Sequence, residues 1–266
     1  MTMRILIVNK FLYLRGGDCV HSLNLKQLLR NAGHDVCFYA MSYSQNIVCE
    51  ENKYFAEEIS FSAKDLQGKI KAASRIIWGI GVVQNFKKLL EEFQPDVVHL
   101  NNIHSYLSPI VAKLAYQRGV KVIWTLHDYK LICPSYSCLC KGNTCEACFT
   151  DKKHVVLRKC MKNSFPASIL AWGEDMNWNK NKLSLWTNSF ICPSQFMAEK
   201  MQQGGYPASK LQVISNFIGE EQVQYIINTP NPIREEAYAY IGRLSQEKGV
   251  ESLLKAASRL PYKLYI

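Results

Sequence analysis

The chain has 266 residues, a formal net charge of +10 at pH 7, 48% apolar residues and 20% charged residues. That balance excludes a disordered chain, which needs low hydrophobicity with high net charge; 14 Gly and 9 Pro exclude a collagen-like or low-complexity repeat. The length suffices for a sizeable core and fits one large α/β domain, or one domain with part of a second.

No run approaches the roughly 20 apolar residues that span a bilayer. The strongest, at 5–8 and 120–124, are strand-sized. The N-terminus carries Arg4 and then one short apolar run before Asn9 and Lys10, too little for a signal-peptide core. The expected location is therefore the cytoplasm, where ten cysteines are thiols, metal ligands or core residues rather than a disulfide framework. The positive charge reads as a solvated basic surface, or as a surface for an anionic ligand, an anionic membrane face or nucleic acid. The cations are scattered (Lys69, Lys71, Lys87, Lys88, Lys152, Lys153, Arg158, Lys159, Lys180, Lys182). Without a dense basic arm, no nucleic-acid partner is expected.

Residues 4–8 read as a buried strand closed by a polar loop containing Gly16 and Gly17. Residues 18–31 place Val20, Leu23, Leu25, Leu28 and Leu29 at helical spacing, with Asp18 as N-cap and Gly33 as the stop. A strand follows at 35–41; residues 42–63 carry no clear pattern. Residues 64–93 read as one long helix or two, interrupted near Gly79 and Gly81 and ended by Pro95. Next come a strand at 96–100, a helix at 105–118, and a strand at 121–126 that runs into His127 and Asp128. A Cys-rich loop occupies about 132–160. Trp78, Trp172, Trp178 and Trp186 read as core or lid residues. A strand at 189–192, a helix capped by Ser194 and ended by Gly204 and Gly205, and a strand at 211–214 complete the series.

Strands alternating with helices predict an α/β fold, a parallel Rossmann-like sheet with helices on both faces. Ligands of such sheets lie at the carboxyl ends of the strands, which singles out the loops at 9–17, 101–104, 127–132 and 193–196. The expected organisation is a first domain at 1–218, with the Cys-rich insertion at about 132–160. A linker at 219–237 is marked by Asn228, Pro230, Asn231 and Pro232. Residues 238–266 then read as the start of a second Rossmann-like domain. One strand, one helix and half a strand cannot bury a core, so that second domain reads as truncated.

Four groups of residues carry chemistry. Gly16 and Gly17 stand between a strand and a helix, where glycines let backbone approach a phosphate; the alternative is a simple turn. The G-x-G-x-x-G spacing and the acidic ribose ligand of a dinucleotide site are absent. His127, at a strand's carboxyl end, can hydrogen-bond a polar ligand, with Asp128 beside it; the alternative is a loop pair. Cys145 and Cys148 form a C-x-x-C knuckle that, with Cys138 or Cys140 and with Cys160, could hold a structural zinc, His154 being an alternative fourth ligand; the alternative is packed thiols. Arg243 and Lys248, with Glu247 and Gly249, flank a strand-to-helix turn suited to a diphosphate, or form a solvated helix start.

Arg4-Ile5-Leu6-Ile7-Val8, Gly16-Gly17, Pro95-Asp96-Val97-Val98-His99, Thr125-Leu126-His127-Asp128-Tyr129, Pro193-Ser194 and Tyr240-Ile241-Gly242-Arg243-Leu244 together resemble the retaining glycosyltransferases of family 4, which have the two-domain GT-B fold. The stretch after Cys133-Pro134 is similar to one in bacterial members that build surface polysaccharides. The resemblance implies transfer of a hexose from a nucleotide-sugar to a glycan or lipid-linked acceptor, with retention, no cofactor required for catalysis, and an acceptor site on the N-terminal domain. It implies that Gly16 and Gly17 approach the donor diphosphate. His127, with Asp128 beside it, would contact the transferred hexose, and Arg243 and Lys248 would neutralise the leaving diphosphate. The family's donor-sugar glutamates and base pocket lie beyond the point these 266 residues reach. The alternative expectation is a catalytically inactive, truncated acceptor- or saccharide-binding module. The basic surface fits peripheral association with the anionic inner face of a membrane.

Overall fold

The computed structural model describes residues 1–61, 65–230, 235–245 and 248–266. Lys64, Asn231, Pro232 and Glu247, which enter the readings above, lie outside them. In chain order the elements begin with β1 (Arg4–Val8), α1 (Gly17–Asn31), β2 (Asp35–Tyr39), α2 (Leu66–Trp78), α3 (Val83–Phe93), β3 (Val97–Leu100), α4 (Ile110–Gln117) and β4 (Lys121–Thr125). A small excursion follows, with β5 (Leu139–Cys140), β6 (Asn143–Thr144), α5 (His154–Leu157), α6 (Phe165–Asn177) and α7 (Lys180–Trp186). The chain returns with β7 (Ser189–Cys192), α8 (Gln195–Gln203) and β8 (Leu211–Val213), then α9 (Glu220–Asn228), β9 (Ala237–Ala239), α10 (Val250–Ala257) and β10 (Lys263–Tyr265).

Six strands form one parallel sheet in the order β2-β1-β3-β4-β7-β8. Helices cover both faces, so β1 buries all of Ile5, Leu6, Ile7 and Val8 instead of alternating. Trp124, Phe38, Phe86 and Phe190 fill the layers between sheet and helices. β9 and β10 pair in parallel as a separate two-stranded sheet.

Local chemistry explains the boundaries that differ from expectation. Gly16, in extended backbone, is the N-cap residue of α1, so Asp18 sits inside the first turn, where its carboxylate complements the dipole. Residues 65–93 form two helices because Gly79 adopts the left-handed conformation (φ +70°) at the end of α2. Asp65 caps α2 by accepting from the Gly68 N–H at 2.7 Å. Helix α4 starts at Ile110, not 105, because Ser105 and Ser108 have positive φ. α6 and α7, capped by Ser164 and Asn179, had no counterpart in the sequence reading. α9 falls inside the stretch read as a linker. Its turn-forming prolines lie beyond its end, and Gln222 accepts from the Gly219 N–H at its start. Of the tryptophans, Trp178 and Trp186 are buried against each other, whereas Trp78 is exposed.

Candidate functional site

The carboxyl ends of β1, β3 and β4 converge on a small cleft. Asn9, following β1, is fully buried; its Oδ1 accepts from the Asn102 N–H at 3.1 Å. The Lys10 N–H in turn donates to the Asn102 carbonyl at 3.0 Å, locking the two loops together. Trp124 on β4 donates its indole N–H to the Asn101 carbonyl at 3.0 Å, and the His104 ring stacks on its face with centroids 5.3 Å apart. Asn101, His104, Trp124, His127 and Asp128 line a cavity of about 10 Å³, room for roughly one water molecule.

His127 is the centre of a polar cluster. Its Nε2 lies 3.0 Å from Asn101 Oδ1. Because an amide oxygen only accepts, Nε2 carries the proton and Nδ1 presents a lone pair. Burial, then the neighbouring His21 ring, lower the His127 pKa to about 4, so the ring is neutral at pH 7. His21, on α1, meets His127 edge-on at 5.1 Å and Phe217, beyond β8, at 5.3 Å. Burial also lowers the pKa of His21 and raises that of Asp128. One strand over, His99 Nε2 lies 2.7 Å from Thr125 Oγ1. Asp18 Oδ2 is 3.4 Å from Lys10 Nζ, an ion pair without a hydrogen bond. Among the described residues Asn101 Nδ2, His21 Nδ1 and Asp18 Oδ2 are buried with no hydrogen-bond partner. Such unsatisfied donors and acceptors cost stability unless something polar meets them. Their convergence around His127 makes it the polar centre of the strand-end loops.

Behind the cleft, the Asp128 carboxylate accepts from the Lys130 N–H at 2.9 Å. Lys130 Nζ is buried against Glu174 Oε2 of α6 at 2.7 Å and the Pro134 carbonyl at 2.7 Å. The turn that carries His127 and Asp128 is thus pinned from below.

Gly16, Gly17, His127 and Asp128 therefore gather at one end of the six-stranded sheet. Nothing lies within 4 Å of where a Cβ on Gly17 would stand, so the α1 N-terminus is open there. Arg243 and Lys248 lie instead in the β9–α10 segment, both exposed, with the Tyr240 hydroxyl donating to the Arg243 carbonyl at 2.6 Å. The cysteines Cys138, Cys145, Cys148 and Cys160 do not assemble as a ligand set: among the described residues no group of three His, Cys, Asp or Glu could hold a metal ion. Cys138 hydrogen-bonds Cys133, whose pKa falls to about 5 in consequence. Cys145 Sγ accepts from Arg158 at 3.0 Å. Cys160 is raised to about 12 by burial and by its contact with Cys140. Cys138 and Lys141 have positive φ in the loop that carries these thiols.

Lys10, Asp18, His21, Asn101 and Lys130 were not singled out as site residues from sequence. The only signal for them is position: three fall in or beside the loops at strand ends, and His21 and Asp18 lie on the first turns of the following helix.

A family model described as Glycosyltransferase Family 4 matches residues 15–222. An uncharacterized 42.6 kDa protein in the cps region of Klebsiella pneumoniae is 24% identical over 202 residues, covering 73% of this chain and 47% of that protein. The chain thus spans about half of that relative's length. Among solved structures, sucrose-phosphate synthase from Thermosynechococcus elongatus aligns with a TM-score of 0.55 at 14% identity, over 98% of this chain and 61% of that one. The lipopolysaccharide outer core galactosyltransferase WaaB in its apo form aligns with a TM-score of 0.50 at 16% identity, over 98% and 60%. At these identities the structural likeness shows the fold, a Rossmann-like arrangement of the GT-B kind.

Proposed function

The chain belongs to glycosyltransferase family 4, and on that basis we propose that it carries the acceptor side of an enzyme moving a hexose from a nucleotide-sugar donor to a glycan or lipid-linked acceptor with retention, in surface-polysaccharide synthesis. The observation that carries this reading is the His127–Asn101–His21 cluster at the strand ends, with its unmet polar atoms. The relative in a cps region and the fold shared with a lipopolysaccharide galactosyltransferase support the surface-glycan part.

In the transfer, the bond from the anomeric carbon to the donor diphosphate breaks and its electron pair leaves on the phosphate oxygen. The acceptor oxygen bonds to the same face of the sugar, and its proton passes to the departing phosphate. His127 stays neutral, with Nε2–H committed to Asn101, and offers Nδ1 to a hydroxyl of the sugar. Gly16 and Gly17 admit the diphosphate to the open amides of α1. Arg243 and Lys248 neutralise the charge that develops on the leaving group. The test is nucleotide release from UDP-, GDP- and ADP-hexoses by the full-length protein with a membrane lipid extract as acceptor. His127→Ala should lower turnover about 100-fold or more with the fold intact. Unchanged turnover removes His127 from this role. Absence of turnover with every donor, alongside retained glycan binding, replaces the transferase by a binding module.

A further inference from the structure

Helices α2 and α6 pack side by side. Trp178 donates its indole N–H to the Ile76 carbonyl at 2.8 Å, and Asn177 donates to the Ile77 carbonyl at 2.5 Å. At the seam, Ile77 Cδ1 lies 3.4 Å from where a Cβ on Gly173 would stand. The buried faces of both helices hold loops of the cleft. Arg75 of α2, fully buried, donates to the carbonyl of Tyr106 at 2.9 Å, and Glu174 of α6 pairs with Lys130.

On the stripes that continue from the seam, large apolar side chains stand exposed. On α2, Leu66 and Ile70 share one face with Ile77, and on α6, Phe165, Ile169 and Met176 recur at i, i+4 and i+11. Leu66 is 71% exposed, Ile70 58%, Phe165 51% and Met176 54%, with Trp78 at the end of α2 at 61%. A run of exposed large apolar residues of this kind marks an interaction surface. The rim is basic: Lys69 and Lys71 beside the α2 stripe, and Lys153, Arg158, Lys159 and Lys162 on the segment that leads into α6, are all exposed. Lys69 and Lys71 stand about 100° to either side of Ile70 on the wheel, where long stems lie along an apolar surface and lift their charges outward. Lys71 reaches Glu57 at 2.7 Å, an exposed pair that salt and lipid phosphate can compete with.

We propose that this α2–α6 face docks on an anionic phospholipid surface, its apolar residues in the interfacial layer and its lysines on lipid phosphates. Charge chooses the partner: a second copy joined through the same face would set two basic rims against each other, whereas a bilayer carrying anionic lipid matches both the apolar stripe and its rim. Docking there holds the loops anchored by Arg75 and Glu174 near the membrane, within reach of a lipid-linked acceptor.

The test is co-sedimentation of the full chain with phosphatidylcholine vesicles, with and without phosphatidylglycerol. Binding should require phosphatidylglycerol, weaken with salt, and shift Trp78 emission to the blue. Ile70→Glu with Ile169→Glu should lower the partition coefficient at least about tenfold. Ile70→Leu with Ile169→Leu should retain it, which separates loss of the face from loss of the fold. No binding to phosphatidylglycerol vesicles, equal binding by the Glu variant and wild type, or a dimer in gel filtration that the Glu variant dissolves while vesicle binding persists would each overturn the proposal. The readout needs neither donor nor acceptor, so its failure leaves the transferase reading untouched.

Discussion

Glu174→Leu probes the support beneath the cleft. Lys130 and Glu174 are 7% and 4% exposed and 2.7 Å apart, and the Pro134 carbonyl supplies the ammonium's other contact. Removing the carboxylate leaves a buried cation with one neutral acceptor, and breaking a buried pair in this way costs about 3–5 kcal/mol. Replacing both partners, Lys130→Met with Glu174→Leu, removes both desolvation penalties, and such swaps are commonly neutral or stabilising by about 1–4 kcal/mol. The Pro134 carbonyl then loses its donor, at about 1–3 kcal/mol. The double variant should therefore fall within about 3 kcal/mol of wild type. Urea unfolding of the wild type, both single variants and the double variant gives the coupling from a double-mutant cycle. A single-variant loss below about 1 kcal/mol, or additive single losses, would refute the reasoning, since a solvated pair behaves that way. Because the Lys130 N–H donates to Asp128, each single variant should also impair turnover more than the double does.

The pH dependence follows from buried imidazoles. Burial holds His127 at about 4 and His99 at about 3, against 6.5 for the unperturbed group. Above pH 6.5 folded and unfolded states are both neutral at these positions and stability is full. As pH falls from 6.5 toward 4 the unfolded chain takes up protons the folded one refuses, so stability declines across that window. Denaturation midpoints that stay flat between pH 7 and pH 4.5 would contradict this, the window being set by the two histidines. Gly81→Ala should cost about 2 kcal/mol or more, because its φ is +82° and the new Cβ would stand 2.7 Å from Arg75 Nη2; an unchanged melting temperature would contradict that. Ser194→Ala should cost about 1 kcal/mol by removing the cap that accepts from the Met197 N–H at 3.2 Å, and a restored midpoint in Ser194→Asp would tie the loss to capping.

Strand periodicity made the sheet legible. Apolar runs at 5–8, 97–100 and 121–125 announce buried parallel strands, and Ser194 and Gly204 bracket a helix with ordinary cap chemistry. The site was half legible. His127 stands just past a strand and so draws attention, but Asn101, His21 and Lys10 matter through register: Val8 opposite Leu100, and Leu100 opposite Trp124, align the loops that follow. No spacing in one chain records that alignment. Helix α6 escaped because its apolar stripe faces outward while a buried glutamate faces in, the reverse of the pattern that identifies a core helix. The arrangement of the Cys cluster was out of reach for a related reason. Cys145 and Cys148 are near in sequence, yet Cys148 is buried while Cys145 turns to Arg158, and backbone conformation decided that.

The strand order bears on how the chain is made. From β1 the sheet extends through β3, β4, β7 and β8 in the order of synthesis, with β2 taking the other flank. Each strand leaving the ribosome therefore meets an edge already in place, and no strand must insert between two neighbours that have paired. One step is slow by construction: β7 must find β4 after the whole stretch of 126–188 has emerged, a long loop to close. Until then β4 presents Ile123 and Trp124 along an open edge, and that interval is when the nascent chain is most exposed to aggregation.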